Sequence, residues 1–178
     1  MMRDFNSDLL NWLMVSGYSL FSYLPSGLIL KRIAAVTPER YNPDHISTEE
    51  GAFQISGQHG LYLATSWLVA YHETRPTGAC VGEIYVLNQN IPHVDTHGLP
   101  QCYNDAIRGD RDLPLISGKH AKTQLIADWY DAFCPNIPSG FLYPSRRTDG
   151  AAFRLVCPSH ASLIATGIIL PPFSYPHF

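Results

Sequence analysis

Apolar and polar positions break this chain into short runs rather than long periodic ones. Residues 9–24, LLNWLMVSGYSLFSYL, follow the N-cap candidates Asn6, Ser7 and Asp8 and stop at Pro25-Ser26-Gly27, a pattern that predicts an amphipathic docking helix. Residues 28–36, LILKRIAAV, form a β-type run with Lys31 and Arg32 embedded in it, closed by Thr37-Pro38. Residues 41–60 lack sustained periodicity and read as a long loop with a short strand around 52–55. A strand over 61–64 leads directly into a helix over 66–73, with Thr65 as its cap and Pro76 forbidding its continuation. Residues 79–87 alternate as a strand. Residues 88–120 are polar and broken by prolines and glycine, with at most one short helix near 103–107.

Residues 121–133 place Leu125, Ile126, Trp129 and Phe133 on one helical stripe, ended by Cys134-Pro135. Two strands, 141–144 and 151–157, flank a turn closed by Asp149-Gly150, and residues 165–178 add a strand with a Pro-rich aromatic end. Short strands outnumber helices, so the fold class is α+β with a mainly antiparallel sheet.

Composition narrows this picture. A chain of 178 residues makes one domain. With 12 basic against 15 acidic residues and a net charge of -3, it has no electrostatic footprint for coating nucleic acid. Hydrophobic residues at 46% place it among folded proteins, while charged residues at 15% fall below the usual quarter, so polar work passes to neutral groups. The apolar stretch 9–24 is too short and too interrupted by serine, asparagine and glycine for a membrane helix, and no A-x-A-like cleavage site follows, so no membrane association is expected. Cys80, Cys102, Cys134 and Cys157 include no CxxC pair and read as reduced thiols.

Phosphate loops, HExxH and GxSxG are absent, which removes the usual kinase and hydrolase readings. His93 and His97, with Cys102 nearby, match no common zinc spacing and read as solvated loop histidines, with no metal expected. More specific is GLYLATSWLVAYHE, in which the strand tyrosine Tyr62 precedes Glu73 on the short helix by eleven residues. Together with GFLYPSRRTDG, which carries Ser145, Arg146 and Arg147, and the strand arginine Arg32, this order resembles the RES family of bacterial toxins. The resemblance covers about Leu28 to Val156, most of the chain.

That resemblance implies a fold like the ADP-ribosyltransferase toxins, with a split sheet flanked by short helices. It implies cleavage of the nicotinamide–ribose bond of NAD, as a glycohydrolase, a phosphorylase or a mono-ADP-ribosyltransferase, or else a silent domain that binds NAD or a partner. One RES-like domain then spans 1–178, with an N-terminal helical extension over 1–27, a core over 28–158 and a C-terminal strand and tail over 159–178. A neutralising antitoxin or immunity protein is the expected partner, self-association is open, and action is cytoplasmic, with delivery as a secreted effector the alternative. By position, Arg32, Tyr62, Glu73 and Ser145 match family residues, with Glu73, Arg32 and Tyr62 as the catalytic set. The family's Gly-Gly-Arg-Trp-Asn-like element is replaced here by Glu-Glu-Gly-Ala-Phe-Gln, which leaves Arg40 of ERYNP as a substitute contact, with Tyr41 beside it a weaker binding candidate that competes with a packing or loop role.

The residue chemistry stands on its own beside this. Breaking the nicotinamide bond leaves an oxocarbenium-like ribose, which a carboxylate such as Glu73 stabilises; the competing reading is a solvated helix-end glutamate. Arg32 offers a fork of donors to a pyrophosphate, against a structural ion pair. Tyr62 offers a flat face for nicotinamide, against a half-buried core tyrosine. Ser145, before Arg146, suits a phosphate or amide contact, against a plain turn serine. His59 and His72 are weaker candidates still.

Overall fold

The computed structural model describes residues 5–34, 36–44, 53, 60–112, 121–134, 139–145 and 148–169. Helix α1 spans Phe5–Ser16 and buries Leu9 and Leu13, one turn apart. The single helix expected over 9–24 is corrected here. A 3-10 turn over Gly17–Leu20 follows α1, and Phe21–Leu24 is strand β1. Gly17 is the reason the helix yields at that point: a Cβ there would sit 2.9 Å from the Trp129 ring, and Tyr130 donates to the Gly17 carbonyl at 2.6 Å. Sheet pairing then captures the aromatic residues that follow.

Strand β2, Ile29–Ala34, lies within the β-type run over 28–36, and strand β3, Leu61–Ala64, has the expected bounds. Helix α2, Trp67–Thr74, is capped by Ser66, whose hydroxyl accepts from Val69 N at 3.2 Å, and not by Thr65. Thr65 is occupied elsewhere, exchanging bonds with the Ala151 backbone at 3.0 and 3.2 Å. Arg75 closes α2 at φ 50°, and Pro76 follows. Strand β4 is Cys80–Leu87.

The insert over 88–120 contains more structure than its polarity predicted: strand β5, Ile91–Asp95, and helix α3, Gln101–Asp112. Pro92 and two polar residues disguise β5, yet Ile91, His93 and Val94 are buried between its neighbours. His93 is therefore a core residue, not a solvated loop histidine, while His97 is exposed and pairs with Asp95 at 2.7 Å. Helix α4, Ala121–Phe133, has the predicted bounds. Strands β6, Gly140–Pro144, and β7, Ala151–Leu155, flank the expected turn, with Gly150 at φ 127°. Strand β8, Ala161–Ile169, starts earlier than its apolar run implied and pairs along β4; residues 170–178 lie outside the described set. The short strand expected over 52–55 also lies outside it, apart from Phe53, which has a left-handed φ of 59°.

The eight strands form one sheet in the order β1-β5-β6-β7-β3-β2-β4-β8, antiparallel except for β5 against β6. Four strands separate β4 from β5 in that order, yet only residues 88–90 connect them. In a flat sheet the two strands would stand roughly 24 Å apart. A three-residue link reaches about 14 Å. Residues 25–28 impose the same condition on β1 and β2. The sheet must therefore close on itself, and the links are stitched together by Gly27 N to Leu87 O at 2.8 Å and Ser26 N to Asn90 Oδ1 at 2.9 Å.

Closure is made possible at one seam. β2 and β3 pair only at Lys31 and Ala64, whereas β2 pairs with β4 along its full length. Two half-sheets result, which is the split the sequence pointed to. Their inner faces bury Leu30, Leu61, Leu63, Tyr85, Leu87, Ile91, Phe153 and Leu155 against one another. The outer face, which carries Ala64, Ala152, Phe141 and Tyr143, is covered by the helices through Leu9, Leu13, Val69, Ile126, Trp129 and Tyr130.

His93 lies on the inner side, edge-on to Phe153 with centroids 5.7 Å apart, its Nδ1 3.3 Å from the Ile91 carbonyl and its Nε2 without a partner among the described residues. Burial holds its imidazole below the usual histidine range. The unfolded chain therefore takes a proton that the folded chain declines, and stability falls as pH drops below about 6.5, with no contribution above it. Urea unfolding at pH 7 and pH 5 should show this loss, and His93→Phe should shrink it by up to about 1.4 kcal/mol per pH unit across that window.

Candidate functional site

The seam between β2 and β3 gathers the residues with chemistry. Both strands continue past the Lys31–Ala64 pair without a further Cα pairing, so the Arg32 end of β2 and the Tyr62 end of β3 flank a gap in the sheet. Helix α2 reaches this gap: Thr74 Oγ1 donates to the carbonyl of Ile33 at 3.4 Å. Glu73 is thereby carried to the seam, one residue from the group that closes it.

Glu73 and Ser145, 72 positions apart in the chain, are brought together by the fold, with Ser145 Oγ donating to Glu73 Oε1 at 2.8 Å. Ser145 directly follows β6 and is buried, and its N–H bonds the Gly150 carbonyl at 3.0 Å, which closes the turn that aims the hydroxyl. The sequence named these two residues separately, and the fold makes them partners. Glu73 is therefore not a helix-end glutamate facing only water.

Arg32 has a different environment. Strand alternation turns it to the inner face, since Lys31 shares the outer face with Ala64 and Tyr62. Its Nη1 donates to Glu83 Oε1 on β4, the residue directly across the ladder. Glu83 is 0% exposed, and its Oε2 accepts from Tyr41 at 2.7 Å and from Tyr85 at 3.1 Å. Both phenols are held above the usual tyrosine range, first by burial and then by the Glu83 charge, and Tyr85 is pushed up to about 12. They stay protonated and keep donating.

Tyr62 is half-buried on the outer face, paired in register with Arg154 of β7. Arg154 is itself buried, and Tyr62, Tyr143 and Asp131 lie close enough to act on its charge. Arg40 is exposed in the 3-10 turn Pro38–Arg40, and Tyr41 follows it as a ligand of Glu83. His72 is buried in α2. Arg146, Arg147 and His59 lie outside the described residues. Among the described residues, no group of three His, Cys, Asp or Glu is placed to hold a metal ion. No helix among them is long and apolar enough to cross a membrane.

Sequence reading missed Glu83, Tyr85 and Arg154. The available signal was an acid in the middle of the apolar strand CVGEIYVL, opposite the strand ILKRIA, which carries Lys31 and Arg32. Phe53, within the stretch Glu-Glu-Gly-Ala-Phe-Gln, stacks on Phe141 at 5.0 Å and 11° and packs against Tyr143 at 5.3 Å. Because Glu83 has no access to water, Arg32→Leu should cost about 3–5 kcal/mol by stranding its charge. Arg32→Leu combined with Glu83→Leu should recover most of that loss, as read from urea midpoints of the single and double variants.

No protein-family model matches the chain, and no curated protein matches it. Among solved structures, the M. tuberculosis MbcT–MbcA toxin–antitoxin complex shares the fold, with a TM-score of 0.57 over 94% of this chain and 93% of that one, at 11% sequence identity.

Proposed function

We propose that this protein is a toxin that cleaves the nicotinamide–ribose bond of NAD and is neutralised by a dedicated antitoxin. The observation that carries this reading is the Ser145–Glu73 hydrogen bond, made between the end of β6 and helix α2. It joins the two RES-like segments of the sequence in a fold shared with a protein from a toxin–antitoxin complex. NAD is the substrate, not a resident cofactor, and action belongs where NAD is abundant, in the cytoplasm.

In this reading Glu73 faces the ribose at C1′. The C1′–N bond breaks with its electron pair leaving on nicotinamide, the Glu73 carboxylate stabilises the cationic ribose, and water or phosphate forms the new C1′–O bond, with water releasing its proton to solvent. Ser145 fixes the carboxylate rotamer. Tyr62 lies on the same side of the sheet as α2 and flanks the nicotinamide, while Arg32 holds the pyrophosphate from the inner side. Arg40 and Arg146 remain phosphate candidates on sequence grounds.

Phe53 favours a second reading. An aromatic ring packed on Phe141 and Tyr143 supplies no charge where the family element would, which suits a domain that binds NAD without turnover.

Incubating the purified chain with NAD, with and without phosphate, and identifying the products by mass decides between these. Free nicotinamide with ADP-ribose indicates hydrolysis, ADP-ribose 1″-phosphate indicates phosphorolysis, and ADP-ribose attached to protein indicates transfer. Glu73→Gln should lower nicotinamide release by about 100-fold or more, and Ser145→Ala by about 10-fold, both with growth arrest relieved. Undiminished release by folded Glu73→Gln sinks the assignment, and NAD binding without release supports the silent domain.

A further inference from the structure

Glu83 is the best-enclosed charge in the described structure, yet nothing in the proposed chemistry requires it to touch substrate. Both carboxylate oxygens are engaged, Oε1 by Arg32 and Oε2 by Tyr41 and Tyr85. The donors arrive from β2, from β4 itself and from the chain just after the Pro38–Arg40 turn, so three stretches converge on one group. Stability is a poor explanation, because an apolar pair of similar volume is commonly as stable as a buried ion pair. What the arrangement does determine is the direction of Arg32.

The guanidinium carries five N–H donors in a rigid plane. Glu83 takes the Nη1 edge, and Tyr85 packs against both Glu83 and Arg32. The Arg32 side chain remains 19% exposed, beside the gap between β2 and β3. A long side chain ordinarily loses rotamer freedom on binding an anion, and a clamp that orders it beforehand removes that cost.

We propose that Glu83 is a positioning residue, which with Tyr41 orders the Arg32 guanidinium so that its remaining donors face a diphosphate. This rests on the reading above only in taking a diphosphate as the anionic part of the ligand. Tyr41 thereby acts through Glu83 and need not contact the ligand.

Inorganic pyrophosphate, titrated calorimetrically into the full chain, is the probe. Glu83→Gln, which keeps an acceptor for Nη1 but loses the charge, should weaken binding by about 10-fold, and Arg32→Lys by a similar factor. The double variant should bind no more weakly than the weaker single one, because both act through one guanidinium. Tyr41→Phe should weaken binding by about 2- to 5-fold in protein that is still folded at the titration temperature, alongside a lowered melting temperature. A merely structural role would shift melting and leave the affinity of the folded protein alone.

Folded Glu83→Gln that binds like wild type, losses that multiply in the double variant, or a wild type that takes no pyrophosphate each overturns the proposal. Should Glu83→Gln fail to fold, Tyr41→Phe decides: weaker binding supports the proposal and unchanged binding overturns it. Coupled pyrophosphate binding without release of nicotinamide from NAD leaves the positioning role standing and removes the NAD-cleavage reading.

Discussion

Two connections too short for a flat sheet organise this molecule. Residues 88–90 and 25–28 each join strands that four others separate, so β4 must end beside the start of β5, and β1 beside β2. Only a sheet folded across its own inner face satisfies both. Phe153, Leu61, Tyr85 and their neighbours then bury one another, with no helix residue packed against them among the described residues. The helices are left free to cover the outer face, and α1 and β1 are built into this arrangement through Leu9, Leu13 and the pairing of Phe21 with Val94.

The same closure makes the site. In this sheet the ladder gives way between β2 and β3, beyond Lys31 and Ala64. Polar side chains collect where the ladder stops. Thr74 supplies a bond to Ile33, Glu73 is delivered beside it, and Ser145 meets Glu73 from the end of β6. On the inner side, Glu83 and Arg32 face each other across the continuous part of the ladder, within an apolar interior that makes each depend on the other. Phe53 supports the outer wall in a left-handed conformation that its packing on Phe141 maintains.

Local signals carried much of the chain. A β-type run located β2, a short apolar run located β3, alternation located β4, the apolar stripe located α4, and Asp149-Gly150 located the turn between β6 and β7, because in each case the signal lies within one segment. Where burial is imposed from outside, the reading failed. The five residues of β5, with Pro92, His93 and Asp95, look like a loop until β1 and β6 enclose them. Helix α1 stops short of its apolar run because Trp129, more than a hundred positions away, lies against Gly17. Ser66 displaced Thr65 as the cap of α2 because Ala151 claims the threonine hydroxyl.

Sequence alone determined the α+β class, most of the strand positions and the candidates Arg32, Tyr62, Glu73 and Ser145, since residue types and their order are local properties. Tertiary structure alone decided which of them meet. Glu73 and Ser145 become partners only when β6 and α2 converge, and Arg32 faces Glu83 instead of Tyr62 only because a single register, Lys31 against Ala64, assigns each side chain its face. Shifting that register by one residue would turn every side chain of β2 to the opposite face relative to β3, and no count of residues along the chain encodes which choice is made.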